Sequence, residues 1–98
     1  LTIDVKYSSM ASKKNSQSYH WHFRTKGDQD FIVAFLERKP GSELERPFIL
    51  LIPMQFLTDK NDLHVSPSGR WFNEFQIEAE ELQPLLSDYA QLRKDGLF

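Results

Sequence analysis

Two runs that contain no charged residue constrain this chain most: Phe31-Ile32-Val33-Ala34-Phe35-Leu36 and Phe48-Ile49-Leu50-Leu51-Ile52. A strand with one wet face alternates apolar and polar residues. A short continuous apolar run bounded by turn residues marks a strand covered on both faces. Both runs therefore read as central strands of a sheet, the second stopped by Pro53. With 98 residues the chain suits one domain, residues 1–98. A core that small must be used efficiently. Eight Phe, three Tyr and two Trp can fill it without a disulfide or a structural metal. There are no cysteines, which rules out disulfides and thiolate zinc sites and fits a reducing, cytoplasmic setting.

The flanking segments carry other periods. Ile3, Val5 and Tyr7 alternate with Thr2, Asp4 and Lys6, which predicts a strand with one buried face. Tyr19, Trp21 and Phe23 alternate in the same way with His20, His22 and Arg24. The polar stretch from Ser8 to Ser18 reads as a loop. Thr25 to Gln29, around Lys26-Gly27-Asp28, predicts a hairpin joining the Tyr19 strand to the Phe31 strand. Met54, Phe56 and Leu57 suit one helical turn, and Leu63 to Ser66 a short strand. Trp71, Phe72, Phe75 and Ile77 add apolar bulk of undetermined local structure. Leu82, Leu85, Leu86, Tyr89 and Leu92 recur at spacings of three and four, one face of a C-terminal helix. Glu80 and Glu81 lie near its start and Arg93 and Lys94 near its end, as the helix dipole favours. Pro84 is expected in the first turn and Gly96 at the stop. The fold class is α+β: a mainly antiparallel or mixed sheet of four to five strands with one C-terminal helix.

Charge limits the partners. Lys and Arg number 12 against 14 acids, a formal net charge of −2. Phosphate neutralisation dominates DNA affinity, so strong nonspecific binding by this chain alone is not expected. No apolar run approaches a membrane span, and no membrane association is expected. The chain opens at Leu1 directly in strand-like sequence and reads as a piece of a longer protein.

Three constellations could carry chemistry. Asp4-Val5-Lys6 places a carboxylate and an ammonium on one face of a strand. A metal-dependent nuclease uses such a pair: the carboxylate holds Mg²⁺, and the lysine orients water or stabilises charge on the phosphate. The Val5 carbonyl could add a further hard oxygen ligand. The plainer reading is a charged pair on the solvated face of an edge strand. Glu37-Arg38-Lys39, with Asp30 upstream, is a second acidic-x-lysine. Asp30 and Glu37 bracket one extended strand, roughly 20 Å or more apart, too far to share an ion. Glu37 to Lys39 also runs into Pro40-Gly41 and reads as solvated. The third constellation is His20-x-His22, with His64 elsewhere. Two imidazoles at that spacing can bind zinc if a third ligand arrives, and otherwise form the polar outer face opposite Trp21. Arg70-Trp71 beside Gly69 could present a cation and a ring to a base, or could be turn surface and core. Glu78, Glu80 and Glu81 read as a solvated helix start.

The stretch Ile3-Asp4-Val5-Lys6-Tyr7-Ser8, followed by Tyr19 to Arg24, Asp30 to Phe35 and Phe48 to Pro53, resembles the later part of a PD-(D/E)xK, or restriction-endonuclease-like, nuclease domain. The resemblance implies a Mg²⁺-dependent DNA endonuclease with Asp4 and Lys6 as its catalytic pair and Asp4 and Val5 as metal ligands. Lys13, Lys14 and Gln17 would approach the DNA backbone from the adjoining loop. That family also carries an acidic residue on an earlier strand, whereas only three residues precede Asp4. The chain by itself is therefore expected to be inactive. The alternative is a non-catalytic interaction module, with the exposed first strand favouring a homodimer.

Overall fold

The structure is a computed structural model and describes residues 1–12, 19–38 and 46–96. Its strands are β1 (Ile3–Ser8), β2 (Ala11–Ser12), β3 (Tyr19–Arg24), β4 (Phe31–Leu36), β5 (Phe48–Pro53), β6 (Asp62–Val65) and β7 (Gln76–Ile77). A 3-10 turn covers Met54–Phe56, α1 covers Arg70–Phe75 and α2 covers Ala79–Lys94. The main sheet is mixed and four-stranded, in the order β1-β4-β5-β7, with β1 parallel to β4 and the other pairs antiparallel. A second, three-stranded antiparallel sheet runs β2-β3-β6.

The two apolar runs form the centre, as their lack of alternation requires. One face of β4 and β5 (Ile32, Ala34, Leu36, Leu50, Ile52) packs against Trp21, Phe23, Leu63 and Val65 of the second sheet and the aromatic residues of α1. The other face (Phe31, Val33, Ile49, Leu51) is covered by Leu82, Leu85, Leu86 and Tyr89 of α2. Leu92, on the same helical stripe, stays exposed. The result is three layers: helix, main sheet, second sheet.

Five expectations change. The segment from Thr25 to Gln29 is not a hairpin turn, because β3 pairs with β2 and β6 while β4 pairs with β1 and β5. It carries the chain between layers. Alternating β3 needs one buried face and apolar β4 needs two, so they occupy different sheets. The apolar residues of β1 are also not its covered side: Ile3, Val5 and Tyr7 are 38%, 64% and 55% exposed. Pro84 lies in the second turn of α2, because the helix begins at Ala79, where the Glu78 N–H donates to Glu81 Oε1 at 3.3 Å. Glu37 is buried rather than solvated; its carboxylate accepts from the Met10 N–H and its carbonyl from Trp21 Nε1. Gly96 ends α2 as expected, with φ at 78°. Ala11 and Ser12, inside the expected loop, instead form β2; residues 13–18 lie outside the described residues.

Asp30 joins three elements. Its carboxylate accepts from the Thr2 N–H and hydroxyl ahead of β1 and pairs with Arg93 at the end of α2. The Thr2 N–H holds its pKa below the usual carboxylate value, and the Arg93 charge adds to this against an opposing effect of burial. A depressed folded pKa stabilises the fold above the unfolded value and loses that contribution as pH falls through the folded one. We expect Asp30→Asn to cost about 1–2 kcal/mol at neutral pH, with the deficit closing in strong acid. Urea unfolding at pH 7 and pH 3 checks this; an equal deficit at both would contradict it.

Candidate active site

The candidate site lies on β1, at the edge of the main sheet. Parallel pairing puts Asp4 beside Ile32 and Lys6 beside Ala34. Both side chains therefore share the face on which the second sheet packs, at its open margin. Ser8, two residues further on, is buried against β3, where its hydroxyl donates to the His22 carbonyl at 2.9 Å and accepts from the His22 N–H. The second sheet thus closes over one end of β1 and leaves Asp4 and Lys6 about one-third exposed (32% and 27%).

Lys6 Nζ stands 3.0 Å from Asp4 Oδ2. The same carboxylate oxygen accepts from Gln29 Nε2 at 3.3 Å, and that amide also touches Met54 Sδ at 3.7 Å. Sequence reasoning missed Gln29, because only the β1–β4 pairing brings the turn before β4 to Asp4. Gly27 makes room for it: a Cβ there would stand 2.1 Å from Gln29 Oε1. Beside Gln29, a surface recess is lined by Thr25, Lys26, Gly27, Met54, Lys60 and Asn61.

Val5 contributes through its backbone. The Thr2 carbonyl accepts from the Asp30 and Phe31 N–H groups, and the Ser8 carbonyl from the Glu37 N–H. Carbonyls alternate in direction along a strand, so that of Val5 faces away from β4. No strand among the described residues pairs with that side. An Asp4 carboxylate and a Val5 carbonyl suit Mg²⁺, which is usually held by one or two carboxylates with water and substrate phosphate completing its octahedron. Among the described residues no three His, Cys, Asp or Glu side chains form a ready-made metal cluster. Lys13, Lys14 and Gln17 lie outside the described residues.

The remaining candidates separate cleanly. Asp30 and Glu37 flank opposite ends of β4. Glu78, Glu80 and Glu81 are exposed at the start of α2, as expected. Trp71 is half-buried and stacks on Phe75, with Arg70 and Lys60 at 5.8 and 5.9 Å from its ring. His64, which the sequence left apart from the His20-x-His22 pair, joins it on the outer face of the second sheet: His22 lies opposite His64 in the register, and His20 lies diagonally from it.

The fold these elements build has a counterpart among solved structures. Its similarity is to the solved structure of a bacterial homing endonuclease, I-Ssp6803I, at a TM-score of 0.51 and 20% sequence identity. The match covers 93% of this chain and 64% of the endonuclease, so the chain spans less than two-thirds of that protein's length. No protein-family model and no curated protein matches the sequence.

Proposed function

We propose that this chain is part of a Mg²⁺-dependent DNA endonuclease domain of the PD-(D/E)xK type, centred on Asp4, Val5 and Lys6. The observation that carries the reading is the pairing of Asp4 and Lys6, 3.0 Å apart and partly open, on the edge strand of a sheet in a fold similar to that of a homing endonuclease. Bound Mg²⁺ would polarise the scissile phosphate. Asp4 and the outward carbonyl of Val5 would be its ligands. Lys6, next to the metal-binding carboxylate, meets a phosphate oxygen or the attacking water and offsets the charge that develops as the bond to the leaving sugar oxygen breaks. Gln29 holds the Asp4 carboxylate in place, and Lys26 and Lys60 beside it offer cations to the DNA backbone. Lys13, Lys14 and Gln17 would reach the same phosphates from the loop.

One carboxylate is a thin donor set, so full activity is expected of the natural protein that contains this chain rather than of the 98 residues alone. The test is cleavage of plasmid and branched DNA by that protein. Cutting should require added Mg²⁺ or Mn²⁺ and stop on chelation. A folded protein that cuts equally well in chelator, or never cuts, would overturn the reading.

A second reading, a homodimer formed through β1, rests on a separate observation. Leu1, Ile3, Val5 and Tyr7 leave apolar surface beside a sheet edge that no described strand covers. Light scattering should find a dimer at micromolar concentration that Val5→Lys converts to monomer. A monomer in both forms would remove this reading without touching the first. Among the described residues no helix is long and apolar enough to cross a membrane.

A further inference from the structure

We propose that the outer face of the second sheet is a binding site for Zn²⁺, formed by His20 and His22 of β3 and His64 of β6. This site is distinct in position and in donor chemistry from the centre on β1. Imidazole suits zinc and its neighbours in the transition series, whereas carboxylate and carbonyl oxygens suit magnesium.

The geometry is set by the backbone. Residues two apart on a strand share a face, so His20 and His22 project side by side. The antiparallel register puts His64 directly opposite His22. The ring centres of His22 and His64 are 4.3 Å apart, and those of His20 and His64 are 5.8 Å apart. Zn–N bonds of about 2.0–2.1 Å place ring centres roughly 3.2 Å from the ion and about 5 Å from one another in a tetrahedral site. The observed separations bracket that value. The His22 and His64 rings are stacked, 13° from parallel, so their nitrogens do not yet converge. Both residues are exposed, and convergence on an ion requires rotation about their side-chain torsions.

Two further observations point to a ligand. His20 Nδ1 is buried and has no hydrogen-bond partner among the described residues. A buried ring nitrogen without a partner is costly, and a metal bond would satisfy it. His22 Nε2 is 3.1 Å from Asp62 Oδ1. Histidines that bind metal commonly give their other ring N–H to a carboxylate, which fixes the ring and raises its basicity. Asp62 supplies that partner and leaves His22 Nδ1 for the ion. Arg24, opposite Asp62 in the register, adds a positive charge to the same face, so Asp62 also offsets local repulsion of a cation. With three protein ligands the fourth position is left for water or another small ligand.

The experiment titrates the untagged protein with Co²⁺, followed by visible absorption, and with Zn²⁺ in competition. One equivalent of Co²⁺ should give the intense bands of a tetrahedral ion, and Zn²⁺ should remove them. Saturating Zn²⁺ should raise the melting temperature by about 5 °C or more. His64→Ala should abolish the bands. Asp62→Asn should weaken affinity by about tenfold, and excess Mg²⁺ should not compete. Each variant is compared with the wild type by its metal-free melting curve. If His64→Ala does not fold, His22→Gln carries the same test. A Co²⁺ spectrum unchanged from the free ion, or wild-type affinity in the histidine variants, would overturn the proposal.

Discussion

In the proposed nuclease, replacing Lys6 by Ala should reduce metal-dependent DNA cleavage by at least about 100-fold while leaving the melting temperature within a few degrees of wild type. The two halves of this expectation have separate physical causes. Lys6 is 27% exposed and its ion pair with Asp4 lies at a sheet margin. Such pairs contribute only about 0–1 kcal/mol to stability. A cation positioned where charge develops on a phosphate contributes far more to rate, because it is already oriented when the reaction occurs. Asp4→Ala should lose activity to a similar extent through the metal, with higher Mg²⁺ unable to restore it fully. Lys6→Arg should recover little, since the broad guanidinium does not reproduce a compact point charge beside Asp4. If Lys6→Ala cuts normally, the pair is a surface ion pair and the active centre lies elsewhere.

The second large effect is on the fold. Trp21→Ala should destabilise the domain by about 3–5 kcal/mol, a large part of the roughly 5–15 kcal/mol that holds a typical domain together. Trp21 is fully buried and stacks on Phe72, with ring centres 5.6 Å apart. Phe48 meets its edge at 5.9 Å, so the ring joins the second sheet, α1 and β5. Its Nε1 donates to the Glu37 carbonyl at 2.7 Å. Truncation therefore leaves a cavity and an unpaired buried carbonyl together. Urea unfolding followed through Trp71 fluorescence measures the loss. A shift below about 1 kcal/mol would mean that the layers are not joined through this ring.

The sequence made some of this legible for identifiable reasons. The apolar runs at Phe31 and Phe48 allowed one solution, central strands, and they took it. The stripe from Leu82 to Tyr89 likewise allowed only a helix lying on a sheet. The expected α+β class, a mainly antiparallel or mixed sheet with one C-terminal helix, follows from those three segments. Pairing was less accessible. Turn residues around Lys26-Gly27-Asp28 suit a hairpin and a crossing between layers equally, so local chemistry did not separate them. Alternation in β1 told which residues share a face but not which face is covered, and Ile3, Val5 and Tyr7 proved to be the exposed set. The start of α2 moved because Glu78 and Glu81 open the helix a turn ahead of Pro84.

For the candidate site, spacing alone put Asp4 and Lys6 on one face. Gln29 and the meeting of His20, His22 and His64 depended on strand pairing across 25 and more residues, which periodicity does not encode. Glu37 looked solvated because Arg38 and Pro40 follow it. Its burial comes from Trp21 and Met10 closing over the end of β4.

In the proposed nuclease a divalent metal binds at Asp4 and the Val5 carbonyl. Fe²⁺ can take the place of Mg²⁺ at such a site and, with ascorbate and peroxide, cuts the polypeptide next to itself. Mass spectrometry of the fragments then reports where the ion sits. Scission within β1 and near Gln29, competed by Mg²⁺ and lost in Asp4→Ala, is the predicted result. Scission confined to other segments, in a protein that still cuts DNA with Mg²⁺, would contradict it.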